Sequence, residues 1–238
     1  MSDPVPYQIR ISPRCRNVYL RMSLERGLEV VVPRNYQLSK IPELIAAKRN
    51  WIQRNRLRFE KQRADSPPEV SQDTLPLEID LVAVGQKWRV EYVPSDLGRV
   101  TLREIEPGLL RLSGNVESKL ACRRVLQIWL VRKGEQTLGP WLKQVSDEIG
   151  LPFKKTSVRL QRSRWGSCSR HATISLNAKL LFLKPELVRY LFIHELCHLV
   201  HMNHSCRYWE FVGKKEPGYK ELDKGMRTGM RIVPRWCK

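Results

Sequence analysis

His194 and His198 stand four residues apart in Tyr190-Leu191-Phe192-Ile193-His194-Glu195-Leu196-Cys197-His198, and this spacing fixes what the surrounding chain must be. Residues i and i+4 share one face of an α-helix, so the two imidazoles converge on a single metal ion. Zinc suits imidazole ligands, and a catalytic zinc keeps one coordination position open for water. Glu195, beside the first histidine, is placed to take a proton from that water. The apolar run before His194 sets this helix in a largely apolar surrounding.

A zinc ion needs a third ligand from the protein. His204 lies six residues after His198, which on a continuing helix would put it about 9 Å further along and facing away. The chain must therefore turn, and Met202-Asn203 is the expected place, because Asn tolerates the left-handed conformation. His201 shares the ligand face but stands one turn beyond His198. A downstream carboxylate, Glu210 or Glu221, is a further candidate.

Charge adds a second constraint. Lys and Arg total 43 against 24 acids, a net +19. Residues 1–65 hold 14 bases and 6 acids, and residues 151–238 hold 18 and 6. A field of that size attracts polyanions, with non-specific DNA or RNA first among them. Arg54, Arg56 and Arg58 on one helix face, with Arg162 and Arg164, are the candidate nucleic-acid contacts. No run approaches the roughly 18 apolar residues of a membrane span. The start of the chain shows neither a basic nor an apolar leader, so a cytoplasmic protein without membrane contact is expected. The six scattered cysteines form no CxxC pair and are expected to be free thiols.

Strands are expected over residues 7–33, with a hairpin turn at Glu25-Arg26-Gly27. A basic-faced helix follows over residues 39–63, with Ser39 as N-cap. Residues 64–74, with Ser66-Pro67-Pro68, form a linker, and 77–113 return to strand. Residues 118–149 read as a helix, with Gly139-Pro140 as a break or kink. Short strands at 155–160 and 172–177 precede the histidine helix, expected over 185–202. The division expected is 1–65, a hairpin lobe with its helix; 66–113, linker and β-rich segment; and 114–238, the catalytic part. The fold class is α+β.

Ser163-Arg164-Trp165-Gly166-Ser167-Cys168-Ser169, Ile174-Ser175-Leu176-Asn177, the histidine helix from Tyr190 to Leu199, His201-Met202-Asn203-His204-Ser205 and Tyr208-Trp209 together resemble the YgjP-like metallopeptidase family. That family is similar to the SprT/Spartan and WLM groups of zinc metalloproteases. The likeness is dense from Leu151 to Arg231 and weaker toward the N-terminus. Tyr208 departs from the Phe usual in the family before Trp209. The resemblance implies a zincin-like unit with one zinc ion per chain. His194, His198 and His204 would be its ligands, Glu195 the catalytic glutamate, and a protein or peptide the substrate. Residues 172–177 are read as the edge strand that binds substrate by strand addition. Trp165, Ser167, Asn177 and Tyr208 are the candidate substrate contacts. Two other functions compete: a metal-dependent hydrolase of nucleotides or other phosphorylated compounds, and a nucleic-acid-binding protein with a structural zinc. Glu195 speaks against the last, since a structural site has no use for it.

Overall fold

The computed structural model describes residues 6–13, 15–23, 27–64 and 74–237. Two compact units divide the chain, Met1–Val70 and Ser71–Lys238. In the first, β1 (Tyr7–Ile11), β2 (Tyr19–Ser23) and β3 (Gly27–Val32) form a sheet in the order β1-β3-β2. β3 runs antiparallel to β2 and parallel to β1. Alternation puts Val30 and Val32 on one face, where they close a small core with Ile41. Glu25 and Arg26 of the expected turn lie outside the described residues, but the strands flanking it pair with Ser23 opposite Gly27.

The helix expected over 39–63 is two helices, α1 (Ile41–Ala47) and α2 (Arg49–Ala64). Lys48 between them leaves helical geometry, with φ −103° and ψ 14°. The Ile52 N–H still donates to the Lys48 carbonyl, so the two segments remain hydrogen-bonded in series. Ser39 is not the cap; it lies in a short 3-10 turn, and Lys40 precedes the helix. Pro42 sits in the first turn, where its missing N–H had no intrahelical partner to lose.

The second unit opens with β4 (Glu78–Leu81), β5 (Gln86–Pro94), β6 (Thr101–Glu106) and β7 (Leu109–Gly114), in the order β4-β5-β7-β6. Ile79, Leu81, Trp88, Val90, Leu110 and Leu112 are buried, while Glu78, Asp80, Lys87 and Arg89 are exposed. One face of the sheet is therefore apolar and needs a cover. The cover is α3 (Lys119–Ile149), whose Trp129 meets Trp88 edge to face with centroids 5.5 Å apart. Lys133 lies over the Trp88 ring and pairs with Glu104 at 3.0 Å. The sheet and everything after it share one core, so the boundary expected after residue 113 does not separate two units.

Ser118 caps α3, its Oγ accepting from the Ala121 N–H, and Gly150 ends it at φ +69°. The break expected at Gly139-Pro140 is absent. Pro140 and Gln136 are both exposed, so the carbonyl that loses its partner faces water, while the fully buried Leu138 and Leu142 keep the helix continuous across it.

β8 (Lys155–Arg159), β9 (Gly166–Cys168) and β10 (Thr173–Asn177) form a second sheet in the order β8-β10-β9. β10 is parallel to β8 and antiparallel to β9. The strand expected to be a substrate-binding edge is thus central, with both backbone edges occupied; β9 is an edge. α4 (Pro185–Cys197), α5 (Cys206–Lys215) and α6 (Tyr219–Gly229) complete an α+β unit. Among the described residues, no helix is long and apolar enough to cross a membrane.

Candidate metal centre

α4 is buried along most of its length. Val188, Tyr190, Leu191, Phe192, Ile193, Leu196 and Cys197 are all in the core, so its polar residues are exceptions that need partners. The helix ends at Cys197, five residues sooner than expected. Beyond it the backbone tightens to i→i+3 bonds, Leu199 N–H to Leu196 and Val200 N–H to Cys197. This tightening turns the chain, and Asn203 does not adopt the left-handed conformation expected of it. His204 returns to the face of α4 that carries His194 and His198.

The three imidazoles offer ring nitrogens that all lie within 4.8 Å of one another. Nε2 of His204 faces Nε2 of His194 at 3.2 Å. Two ligands on a tetrahedral zinc stand about 3.3 Å apart when each bond is about 2.05 Å long, so this separation is that of a chelating pair. With both Nε2 atoms unprotonated the pair offers two converging lone pairs to a cation, and zinc fits this all-nitrogen set. Burial, together with the neighbouring His198 and His204, pushes His194 down to about 4; burial lowers His198 as well. Both are therefore neutral at physiological pH, the form that ligates a metal.

His201 joins the cluster through its backbone. Its carbonyl accepts a hydrogen bond from His198 Nδ1 at 3.0 Å, which leaves Nε2 of His198 as the free lone pair. The His201 ring packs edge-on against Phe211 instead. Glu210 and Glu221 are not in the cluster either, and Glu221 is paired with Lys224 at 2.6 Å.

Glu195 is only 5 % exposed. Burial pushes its carboxyl up to about 8, against the opposing field of Arg164. β9 passes directly beside it: a Cβ placed on Gly166 would lie 2.6 Å from Glu195 Oε1.

The four expected substrate contacts are differently employed. Asn177 is fully buried, and its Nδ2 donates to the carbonyls of Gln161 and Arg164 at 2.9 and 2.7 Å. Trp165 Nε1 donates to the Met226 carbonyl at 3.1 Å. Ser167 pairs with Ser175 on the sheet face opposite to Gly166, so its side chain is directed away from Glu195. Tyr208 is fully buried; its hydroxyl donates to the His194 carbonyl at 3.0 Å and its ring stacks on His198 with centroids 4.6 Å apart. Aromatics after the last histidine, expected to wall the core behind the metal, do so for His204: its ring stacks on Trp209, which stacks on Tyr219. Trp209 directly follows Tyr208 in a quoted motif, but only the fold shows the column it belongs to.

Of the expected nucleic-acid contacts, Arg54 and Arg56 are exposed on α2 of the first unit, and Arg56 pairs with Glu60 at 3.4 Å. The Arg58 side chain lies outside the described residues. Arg162 and Arg164 are exposed in the second unit, on the loop leading into β9.

A helix bearing paired histidines around a glutamate, with a third histidine folded back onto them, is the architecture of a metallopeptidase. The family model described as YgjP-like, metallopeptidase domain, matches residues 16–228, and the chain belongs to that family. Among solved structures, it is similar to the metallopeptidase zymogen abylysin of Pyrococcus abyssi, with 28% identity and a TM-score of 0.36 over 40% of this chain and 96% of that one. It is also similar to the zymogen jannalysin of Methanocaldococcus jannaschii, with 15% identity and a TM-score of 0.35 over 39% and 96%. No curated protein matches the chain.

Replacing Tyr208 by Phe removes one buried hydrogen bond and keeps the ring against His198. Stability should fall by about 1 kcal/mol, read as a lower denaturant midpoint with an unchanged slope. A midpoint equal to that of wild type would show that the hydroxyl contributes nothing.

Proposed function

We propose that this metallopeptidase hydrolyses peptide bonds with one zinc ion held by His194, His198 and His204, and with Glu195 as general base. The observation that carries the reading is the convergence of three imidazoles within 4.8 Å, beside a buried glutamate. Zinc so held would supply Lewis acidity, polarising the scissile carbonyl and making water more acidic. Glu195 takes one proton from the attacking water at a carboxylate oxygen and delivers it to the amide nitrogen as the C–N bond breaks.

The substrate strand aligns on β9 rather than on β10. Asn177 N–H donates to the Trp165 carbonyl and Ser169 N–H to the Thr173 carbonyl. By antiparallel alternation, the N–H and C=O groups of Gly166 and Cys168 then point outward, available to an extended peptide.

Purified protein should carry about one zinc per chain. His194→Ala, His198→Ala and His204→Ala should each deplete it, and His201→Ala should leave it in place. Elemental analysis finding full zinc in the His204 variant would remove that residue from the ligand set.

Glu195→Gln should retain zinc and fold but lose several orders of magnitude in peptide turnover. Turnover close to wild type would refute the general-base role and favour a structural zinc.

A finer reading, that the enzyme works on nucleic-acid-associated proteins, is favoured by the net charge and by Arg162 and Arg164 standing exposed beside the β9 edge. Binding through phosphates has little sequence preference and weakens with salt, with Kd of about 10⁻⁴–10⁻⁶ M. Fluorescence anisotropy at two salt concentrations should show this, and reversing Arg54, Arg56 and Arg58 to Glu should weaken binding without loss of zinc. Absence of binding at low salt would leave a metallopeptidase with no nucleic-acid partner.

A further inference from the structure

The segment Trp165-Gly166-Ser167-Cys168 has no part in the ligand set: Trp165 is bonded to α6, Ser167 faces away from Glu195, and Cys168 shares the Gly166 face of β9. Gly166 is different. A Cβ at this position would stand 2.6 Å from Glu195 Oε1 and 2.9 Å from both Cδ and Cγ. Carbon atoms pack at about 3.5–4.0 Å, so the whole outer half of the Glu195 side chain lies in space that any other residue would fill.

We infer that Gly166 is a positioning residue for the reaction: its bare Cα forms the wall against which the Glu195 carboxylate is set. The inference rests on Glu195 being the general base.

Which partner would yield to an added methyl group decides the consequence. β9 is held from three directions. The Arg164 carbonyl accepts from Asn177 Nδ2 at 2.7 Å, and the Trp165 carbonyl accepts from the Asn177 N–H at 2.8 Å. The Trp165 indole is bonded to the Met226 carbonyl of α6, and that helix presents Gly229 to the ring. On the other side, the Glu195 backbone belongs to a buried helix between Ile193 and Leu196, both fully buried. The strand and the helix axis are both fixed, so the Glu195 side chain must rotate. Its carboxylate would leave the position it shares with the histidine cluster, while fold and ligand set stay in place.

Gly166→Ala should therefore act as a catalytic-rate variant. We expect bound zinc and KM to stay near wild type while kcat falls on the order of 100-fold, the scale of a misplacement of about 1 Å. Glu195→Ala removes Cγ, Cδ and both oxygens, every atom the added methyl group would meet, so in that background Gly166→Ala should lower the unfolding midpoint far less than it does in wild type. An equal cost in both backgrounds would overturn the inference, as would wild-type kcat in Gly166→Ala alongside an inactive Glu195→Gln. Wild-type turnover in Glu195→Gln would instead overturn the general-base role, and this inference with it. If Gly166→Ala does not fold, thermal unfolding of Gly166→Ala with Glu195→Ala decides: recovered folding supports the contact, and continued failure overturns it.

Discussion

The hydrogen bond from His198 Nδ1 to the His201 carbonyl is short in sequence and governs the whole centre. It forms only if the chain leaves the helix after Cys197, because in a continuing helix that carbonyl would accept from a backbone N–H. The same bond fixes the His198 tautomer and directs Nε2 toward the other two histidines. The reversal that makes the carbonyl available also returns His204 to His194. Ser205 then starts α5, its Oγ accepting from the Tyr208 N–H, and this start seats Tyr208 under His198. Imidazole orientation, chain reversal and the wall behind the three histidines are thus one linked arrangement.

Burial lowers the proton affinity of His194 and His198, and aromatic surroundings enclose both. Tyr208 contributes an aromatic face and one hydrogen bond to the backbone of α4. Trp209 and Tyr219 extend the stack outward beneath the exposed His204, so the histidine carried by a loop also rests on an aromatic column. Tyr190, on α4 itself, donates to Asp223, which is also held by Arg227. That set ties α4 to α6. Glu195 has the opposite character: burial alone raises its proton affinity, and only the Arg164 field restrains the shift.

Much of this was legible in the sequence, for stated physical reasons. Helical spacing brought His194 and His198 together, and the arithmetic of a straight helix required a turn before His204. The strand character of residues 77–113 and the helical run over 118–149 were equally local signals. Sheet order was not, because nothing in residues 172–177 records that β9 returns to flank them. The apolar pair Ile174 and Leu176 reads the same in a central strand as in an edge strand. Leu120 fits the periodicity of α3 yet stands exposed, while Leu126 and Leu130 take the core positions. Pro140 was misleading because its cost depends on where the orphaned carbonyl faces, which only the packed helix decides.

Asn177 and Tyr208 show the same limit at the site. Each is a polar residue in a motif beside the metal ligands, and each is used up internally. All four hydrogen bonds of the Asn177 amide stay within the chain: Nδ2 to Gln161 and Arg164, and Oδ1 from the N–H groups of Lys179 and Gln161. A three-residue strand such as β9 cannot hold its own position, and the loop before it has no regular ladder to anchor it. Asn supplies two donors and two acceptor sites on one short side chain, which an apolar residue of similar volume lacks. The strand that passes closest to the Glu195 carboxylate is therefore held by an amide outside the histidine cluster, and its nearest residue has no side chain.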